Sequence, residues 1–278
     1  MAEPIHDNKV VNSLFFNPFL TQPTKENPMK AIVTGASSGL GRDMAKILIN
    51  MGFKVYGIAR RKDKLNELCK IFGNSFIPVE MDLSKEENLY KLCDNLKNED
   101  IDILINNAGF GVYGEFCETD LEKELKMIDV NIRSLHILTK LFSKKFLNQG
   151  YGKILNVASS AGFMAGPYLS SYYASKAYVL RLSEAADEEL RRKNKNVTVS
   201  VLCPGPVKTE FDAVANVKNS LSGLNSFYVA EYAIRKMLKG KRIIIPGFST
   251  KLLVFFARFV PEKLLTKITY KIQEQKGK

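Results

Sequence analysis

Cysteine and histidine are scarce in this sequence. The 278 residues include four cysteines and two histidines, and no two cysteines form a C-x-x-C pair. Metal sites and disulfide frameworks need clusters of these residues, so we expect neither. We interpret the cysteines as reduced core residues of a cytoplasmic protein. They are Cys69, Cys93, Cys117 and Cys203.

Long apolar runs are also missing. No stretch of about 18 apolar residues occurs, so we expect no membrane-spanning helix. The apolar residues 13–20 form a segment too short and too interrupted for a signal peptide. Prolines interrupt residues 1–28, which we predict to be an N-terminal extension, with Met29 as an alternative start.

Positive charge is concentrated toward the end of the chain. The formal net charge is +12, and the segment from Arg235 to Lys278 contains twelve Lys or Arg but two acidic residues. The rest of the chain is therefore close to neutral. This distribution argues against nucleic-acid binding by the main domain.

Short apolar segments alternate with segments of helical periodicity. The predicted strands are "KAIVTG", "KVYGIAR", "SFIPVEMDLS", "IDILINNAG", "GKILNVASS", "NVTVSVLCPG" and "RIIIPG". Helices are predicted between them, including a long helical region from about Asp120 to Leu147. This order predicts an α/β fold, a doubly wound parallel sheet of the Rossmann type. We expect one domain over residues 29–247 and a C-terminal helical extension over residues 248–278.

The first predicted strand runs into the glycine-rich segment "TGASSGLG", residues 34–41. Glycines permit a tight turn close to a pyrophosphate, and the N terminus of the next helix offers free N–H groups. We therefore predict a dinucleotide site here, although βα turns favour glycine for structural reasons as well. Its residues are Gly35, Ser37, Ser38, Gly39, Leu40 and Gly41.

The second predicted strand ends in Arg60 and Arg61, where NAD sites carry an acidic residue for the ribose hydroxyls. Two guanidinium groups suit a 2′-phosphate in both charge and geometry. We therefore predict NADP(H) as the cofactor in preference to NAD(H). The alternative is a pair of solvated arginines at the start of a helix.

Six motifs in order resemble the short-chain dehydrogenase/reductase family over roughly residues 29 to 245. They are "TGASSGLG" from Thr34, "NNAG" from Asn106, Asn131 in "DVNIRSL", Ser159 in "NVASSAG", Tyr172-x-x-x-Lys176, and "PGPVKT" from Pro204. The resemblance implies a Rossmann-type fold and nicotinamide-dependent oxidoreduction of an alcohol or carbonyl. It also implies a dimer or tetramer, since these are common in the family.

The stretch "SSYYASKAY", residues 170–178, offers more than one candidate acid. On a helix both Tyr172 and Tyr173 can face Lys176, so geometry leaves the choice open. The family's tyrosine lies four residues before its lysine and thirteen after its serine, and this implies Tyr172 with Ser159. The remaining candidates are then packing or pocket residues, namely Ser160, Tyr173 and Tyr178.

The roles of these residues are those that the resemblance implies. Tyr172 is the acid in reduction and the base in oxidation, because the Lys176 cation lowers a pKa that is otherwise about 10. Ser159 hydrogen-bonds the substrate oxygen, and Lys176 also holds the nicotinamide ribose. Asn131 supports a water that links Lys176 to solvent, or alternatively fixes a helix kink as a buried amide.

The other expected cofactor contacts follow from the same resemblance. Asp82 receives the adenine amine, or alternatively caps the next helix. Thr209 contacts the nicotinamide amide or a phosphate, or alternatively caps a helix. The remaining predicted contacts are Leu83, Asn107, Ala108, Gly109, Pro204, Gly205 and Val207.

The segment of about residues 207–228 is the predicted substrate loop. It lacks a cluster of charges and carries many apolar residues, which favours a small hydrophobic carbonyl or alcohol substrate. The alternative is that these residues close the domain. They are Phe211, Val214, Val217, Leu221, Leu224, Phe227 and Tyr228.

The C-terminal extension combines apolar and basic residues, typical of helices that lie on a membrane surface. Covering the substrate cleft or a subunit interface is the alternative. Two other functions are weighed against the reductase. A non-catalytic NADP-binding redox sensor is disfavoured by the intact Ser159, Tyr172 and Lys176. An acyl-carrier-linked 3-oxoacyl reductase is permitted by the basic helices, which could dock an acidic carrier.

Overall fold

The computed structural model describes residues 28–217 and 223–276. Nearly all of the predicted N-terminal extension lies outside the described residues, and so does Leu221 of the predicted substrate loop. The boundary at residue 247 between domain and extension stays a prediction.

Strands and helices alternate along the described chain. The strands are β1 (Lys30–Thr34), β2 (Lys54–Ala59), β3 (Phe76–Glu80), β4 (Ile103–Asn106), β5 (Gly152–Val157), β6 (Val197–Leu202), β7 (Val207–Lys208), β8 (Leu224–Asn225) and β9 (Ile243–Ile244). The helices are α1 (Gly39–Asn50), α2 (Lys62–Phe72), α3 (Glu86–Asn95), α4 (Leu121–Ile128), α5 (Leu135–Gln149), α6 (Ser170–Lys193), α7 (Phe211–Val214), α8 (Ser226–Leu238), α9 (Phe248–Ala257) and α10 (Glu262–Gln275).

The main sheet is parallel and has the strand order β3-β2-β1-β4-β5-β6-β9. Every residue of β5 and β6 is buried, as expected for inner strands covered by helices on both faces. The strand order reverses between β1 and β4, and ligands of such sheets bind at this crevice beyond the carboxyl ends of the strands. The predicted doubly wound fold is confirmed.

Two apolar layers hold the helices against the sheet. One contains Met44 and Leu48 of α1 together with Ile234 and Met237 of α8. The other lies on the opposite face and includes residues of α3, α5 and α6, among them Leu89, Phe142, Phe146 and Leu190. Burial of these side chains fixes the positions of the strand ends, and therefore of the loops that form the crevice.

The long predicted helix from Asp120 is interrupted. Helices α4 and α5 are joined by a π-helical turn over Asp129–Ser134, which widens the hydrogen-bonding pattern within one continuous helical rod. Helix α5 ends at Gln149, where Gly150 adopts a left-handed conformation. Periodicity alone predicted the rod, but it did not predict the turn.

Helices α9 and α10 follow the last strand and lie over the mouth of the crevice. Both helices carry exposed apolar side chains. Phe255 of α9 is exposed, and so is Phe259, two residues after the end of α9. In the part of the chain that the structure describes, no helix is long and apolar enough to cross a membrane.

Candidate active site

A cleft of about 690 Å³ opens at the carboxyl ends of the strands. Except for Gly41 and Asn131, every residue predicted to act in catalysis or cofactor binding lines this cleft. The lining residues from that set are Gly35, Ser37, Ser38, Gly39, Leu40, Arg60, Arg61, Asp82, Leu83, Asn107, Ala108, Gly109, Ser159, Tyr172, Lys176, Pro204, Gly205, Val207 and Thr209.

The glycine-rich turn after β1 depends on the conformational freedom of glycine. Gly35 and Gly39 have φ values of +69° and +51°, which other residues adopt at a cost. Gly41 lies behind the turn, where a Cβ atom would be 2.3 Å from the Gly35 carbonyl oxygen. Gly41 therefore permits close packing of the turn against α1 and does not line the cleft.

The N terminus of α1 is suited to an anion. Ser38 is the N-cap residue, but its side chain makes no capping hydrogen bond, and the first turn of this helix contains no acidic residue. The backbone N–H groups and the positive end of the helix dipole are therefore not neutralised by the helix itself. This arrangement fits the pyrophosphate of a dinucleotide.

Thr34 ties the glycine turn to the end of β4. Its Oγ1 atom accepts hydrogen bonds from the backbone N–H groups of Asn107 at 2.9 Å and Ala108 at 3.0 Å. The Asn107 side chain donates in return to the Thr34 carbonyl at 2.9 Å. This reciprocal pairing holds the two strand ends that form the floor of the cleft.

Arg61 lies beside the turn. Its guanidinium donates to Ser37 Oγ from Nε at 3.3 Å and from Nη2 at 3.2 Å, and Nη1 donates to Glu210 Oε2 at 2.9 Å. The hydrogen bond from Arg61 holds the pKa of the Glu210 carboxyl below its usual value. Arg60 also lines the cleft, so two guanidinium groups are available there to an anionic ligand.

Asp82 belongs to a turn before α3. That helix begins at Glu86 with Lys85 as its N-cap residue, so Asp82 does not cap it. Burial raises the pKa of the Asp82 carboxyl, but hydrogen bonds from the N–H and hydroxyl groups of Ser84 outweigh it, and the pKa is lower than usual. A charged carboxylate at this end of the cleft can accept from an amine.

Ser159, Tyr172 and Lys176 all line the cleft. Ser159 Oγ accepts from the Ala161 N–H at 3.1 Å and donates to the Pro204 carbonyl at 3.4 Å. The Lys176 ammonium lies 5.7 Å from the centre of the Tyr172 ring. Helix α6 brings the tyrosine and the lysine onto one face, one turn apart, which the i, i+4 spacing requires.

Lys176 is the most constrained member of this group. Its side chain is 5% exposed, and Nζ donates to the Val157 carbonyl at 2.9 Å. Burial lowers the pKa of Lys176 to about 8. The amine is therefore mostly cationic at neutral pH, although water no longer stabilises its charge well.

Asn131 lies in the π turn and is fully buried. Its Nδ2 atom donates to the Phe110 carbonyl at 2.9 Å and to Ser175 Oγ at 3.1 Å, and Oδ1 accepts from the Phe110 N–H at 3.1 Å. One of the two expectations for Asn131 was a buried amide at an irregularity of the helix. The structure shows this arrangement. Its role toward a water stays a prediction.

The other two tyrosines of the stretch have different surroundings. Tyr173 lines the cleft, and its hydroxyl accepts a hydrogen bond from Gln273 Nε2 at 2.6 Å. Tyr178 is exposed and pairs with His136 Nδ1 at 2.8 Å. Tyr172 is thus the tyrosine of the three that has the lysine ammonium over its ring.

The part of the cleft beyond Tyr172 is largely apolar. The Phe211 ring lies 5.1 Å from the Tyr172 ring, and Val214 also lines this part. Phe227 and Tyr228 of the predicted substrate loop are instead exposed on α8. Thr209 Oγ1 accepts from the Phe211 N–H at 3.2 Å, but the N-cap residue of α7 is Glu210, so Thr209 lies one position before the cap.

Glu210 and Gln273 are among the lining residues that were not predicted from the sequence. Glu210 was missed because its partner Arg61 is 149 positions away. Gln273 was missed because the extension was interpreted through its apolar and basic residues. Their spacing in the sequence was informative: Thr269 and Gln273 lie four residues apart, so they share one face of a helix. In the structure this face is buried.

Comparison with known proteins agrees with this geometry. The model of the short chain dehydrogenase family matches residues 29–220. A probable short-chain type dehydrogenase/reductase of Helicobacter pylori is 34% identical over 225 residues, which are 77% of this chain and 80% of the relative. Estradiol 17-beta-dehydrogenase 11 of Mus musculus is 29% identical over 248 residues, 87% of this chain and 83% of the relative.

Solved structures resemble the fold over most of its length. A short-chain dehydrogenase from Sphingobium yanoikuyae in complex with NADPH has a TM-score of 0.75 at 27% identity, covering 83% of this chain and 93% of that protein. A short-chain dehydrogenase from Burkholderia cenocepacia in complex with NADP has a TM-score of 0.74 at 28% identity, covering 87% and 97%.

Proposed function

This chain belongs to the short-chain dehydrogenase family and is an oxidoreductase, and from that premise we propose that it interconverts a hydrophobic ketone or aldehyde and its alcohol with NADP(H). The observation that carries the proposal is the meeting of Ser159, Tyr172 and Lys176 in a cleft whose other end carries the glycine turn and two arginines.

A bound nicotinamide supplies or accepts the hydride at the substrate carbon. In reduction, the Tyr172 hydroxyl gives its proton to the substrate oxygen, and the phenolate that remains is stabilised by the Lys176 cation. Ser159 donates a hydrogen bond to the same oxygen as negative charge develops on it. In oxidation, the Tyr172 phenolate removes the proton from the alcohol, and the proton count balances in both directions.

Preference for NADP(H) rests on charge. Arg60 and Arg61 border the cleft, and β2 is not followed by an acidic residue that would bind ribose hydroxyls or repel a phosphate. Two structural relatives carry NADPH or NADP in their complexes, whereas another carries NADH, so the proposal depends on the two arginines.

A hydrophobic substrate is supported by the apolar wall beside Tyr172. Phe211, Val214, Leu253 and Ile272 contribute apolar side chains to the cleft lining. The relative from Mus musculus acts, by its name, on estradiol. A steroid-like or comparable lipid carbonyl therefore suits this site better than a charged acid.

The test compares three proteins with NADPH and a panel of hydrophobic ketones and aldehydes. We expect turnover by the wild type, a loss of about 100-fold or more in kcat for Tyr172→Phe, and a much smaller loss for the matched variant Tyr173→Phe. NADPH binding to Tyr172→Phe, followed by fluorescence, controls for folding. Full activity of Tyr172→Phe would show that the acid was wrongly assigned.

An acyl-carrier-linked reductase is the second candidate. The basic residues of the C-terminal helices, among them Lys263, Lys267 and Lys271, are the observation that favours it, since an acidic carrier could dock there. A carrier-bound 3-oxoacyl substrate would then be reduced faster than the free ketone. The non-catalytic redox sensor is disfavoured by the complete set of catalytic side chains.

We also propose a cytoplasmic location with peripheral contact to anionic membranes through α9 and α10. Phe255, Phe256 and Phe259 are more than half exposed, and lysines flank them in the sequence. We propose a dimer or tetramer, because these assemblies are common in the family. Light scattering after size-exclusion chromatography tests the oligomeric state.

A further inference from the structure

Helix α10 buries two uncharged polar residues, whereas several of its apolar residues and its lysines are exposed. Thr269 and Gln273 are 5% and 4% exposed, whereas Leu264, Ile268 and Ile272 are each at least 40% exposed. An amphipathic helix at the surface of a protein normally buries its apolar face. The buried polar pair therefore faces something other than an apolar core, and both residues line the cleft.

The inward face of α10 is held by hydrogen bonds to the main domain. Thr269 Oγ1 donates to the Ala165 carbonyl at 2.8 Å. The Tyr113 hydroxyl donates to the backbone carbonyl of Gln273 at 2.6 Å. These two contacts, one turn of helix apart, fix the position of the Gln273 side chain relative to the cleft.

The amide of Gln273 is only partly satisfied. Its Nε2 atom donates to the Tyr173 hydroxyl at 2.6 Å. Among the residues that the structure describes, Oε1 has no hydrogen-bond partner, although it is shielded from solvent. A buried carbonyl oxygen that lacks a hydrogen-bond donor is unfavourable. A ligand that supplies a donor to this oxygen would therefore bind more tightly than one that does not.

Gln273 lies close to the reacting groups. Tyr173, its hydrogen-bond partner, is the neighbour of Tyr172, and the two tyrosine rings are 6.2 Å apart in an edge-to-face arrangement. The surrounding wall is apolar, with Leu253 and Ile272 nearby in the cleft lining. A single acceptor in such a wall discriminates strongly between ligands that do and do not supply a donor.

We propose that Gln273 determines substrate specificity by accepting a hydrogen bond from a hydroxyl group on an otherwise apolar substrate, at a position separate from the reacting carbonyl. This proposal rests on the proposed function, because it concerns the substrate of the same site. It narrows the substrate class from hydrophobic carbonyl compounds to hydroxylated ones, such as fused-ring hydroxyketones.

The experiment uses three matched probes: a fused-ring ketone, the same ketone with a distal hydroxyl, and the corresponding dione. For each probe, kcat/KM is measured with NADPH, and dissociation constants are measured by calorimetry in a Tyr172→Phe background, where turnover does not interfere. The variants are Gln273→Leu and Gln275→Leu. Gln275 lies on the same helix but is exposed, so it is the matched control.

We expect the wild type to prefer the hydroxyketone to the parent ketone. In Gln273→Leu, this preference falls by roughly 10- to 100-fold in both kcat/KM and dissociation constant, and in Gln275→Leu it stays the same. Gln273→Leu also removes the hydrogen-bond partner of the Tyr173 hydroxyl. The double variant Tyr173→Phe/Gln273→Leu removes both groups, and we expect it to lose the preference for the hydroxyketone to the same extent.

Several results would overturn the proposal. One is a preference for the hydroxyketone over the parent ketone that changes less than twofold in Gln273→Leu and in the double variant. Another is a preference of the wild type for the dione, which has no hydrogen-bond donor. Turnover without hydroxyl preference leaves the proposed function standing and removes this inference. Gln273-dependent binding of the hydroxyketone without turnover by the wild type supports the inference and removes the reductase instead.

Discussion

The guanidinium of Arg61 serves two neighbours, Ser37 of the glycine turn and Glu210 across the cleft. Glu210 reduces the positive potential at the spot where a ribose phosphate would bind. A 2′-phosphate must therefore compete with Glu210 for Arg61, and the arginine is already held in position for it. The proposed selectivity for NADP(H) therefore depends on an exposed ion pair whose strength varies with salt.

Replacing this arginine tests the cofactor assignment. For Arg61→Ala we expect the Kd of NADPH to rise roughly 10-fold while the Kd of NADH changes less than about twofold, since a single charge-assisted contact is lost. Fluorescence titration of each reduced cofactor provides the measurement. Lys62→Ala is the control, because Lys62 is the next residue but pairs with Glu80 outside the cleft. An equal loss for both cofactors would contradict the NADP preference.

A second residue links pH to stability. Asp102 is 3% exposed, and burial raises the pKa of its carboxyl to about 6. Lys30 donates its backbone N–H to one carboxylate oxygen at 2.8 Å, and the other oxygen has no partner within the described residues. The folded state therefore retains this proton to a higher pH than the unfolded chain, and stability from this group is lost as pH rises from about 4 to about 6.

Because the ionised carboxylate of Asp102 is unfavourable in the folded state, we expect Asp102→Asn to stabilise the protein by roughly 1–3 kcal/mol at pH 7.5. Near pH 4, where the carboxyl group is protonated in the folded state, we expect no gain. Chemical denaturation at both pH values measures the difference. Asp94→Asn, which changes an exposed carboxylate that does not act on Asp102, should have little effect at either pH. A gain that is the same at both pH values would refute the role of the buried carboxylate.

At the scale of elements, the π turn between α4 and α5 is the feature that positions the loop after β4. Asn131 makes three hydrogen bonds from this turn, two of them to the backbone of Phe110. A Cβ atom on Gly109 would lie 2.9 Å from Asn131 Oδ1, so the loop and the turn are in close contact. The irregular helix thus fixes one wall of the cofactor cleft.

Removing this amide should affect stability and cofactor binding together. Asn131→Ala leaves buried backbone groups of Phe110 without partners, and we expect a loss of roughly 2–4 kcal/mol, or a fall in Tm of about 5–10 °C. Differential scanning calorimetry with and without NADPH measures both effects. Asn95→Ala, at an exposed position at the end of α3, serves as the comparison. A stable variant would mean that the turn forms without Asn131.

The sequence was informative wherever one local pattern determined one element. Alternating apolar segments and glycine turns gave the parallel sheet, and ordered motifs gave Ser159, Tyr172 and Lys176. The π turn was missed because Asn131 and Ser134 keep the buried positions of a regular helix. Gln273 was missed because its burial depends on how α10 docks, which hydropathy does not encode. Arg61 was predicted, but its long-range partner Glu210 has no local signal.

At the scale of the whole molecule, α10 leaves the apolar side chains of Leu264, Ile268 and Ile272 exposed. Phe255 and Phe259 are exposed as well, and their rings are 5.3 Å apart, so they form an apolar patch. Patches of this kind mark surfaces that contact a partner or a membrane. Because lysines lie beside the apolar residues in the sequence, we propose an anionic lipid surface as the partner.

Vesicle flotation tests this surface. We expect the wild type to float with vesicles containing phosphatidylserine, and Phe255→Ser/Phe259→Ser to bind them roughly 10-fold more weakly, because apolar contact is lost. Ile71→Ser/Phe116→Ser removes equally exposed apolar residues elsewhere and should float like the wild type. Equal flotation of all three proteins would exclude the proposed contact.

The position of Gln273 near the end of the described chain also matters during translation. The glycine turn, both arginines and Tyr172 leave the ribosome before α10 does, because they precede it in the chain. The residue proposed to select the substrate is therefore among the last parts of the cleft to be synthesised. A stop codon or frameshift after about residue 260 would release a protein that retains the reactive centre but lacks the residues proposed to restrict its use.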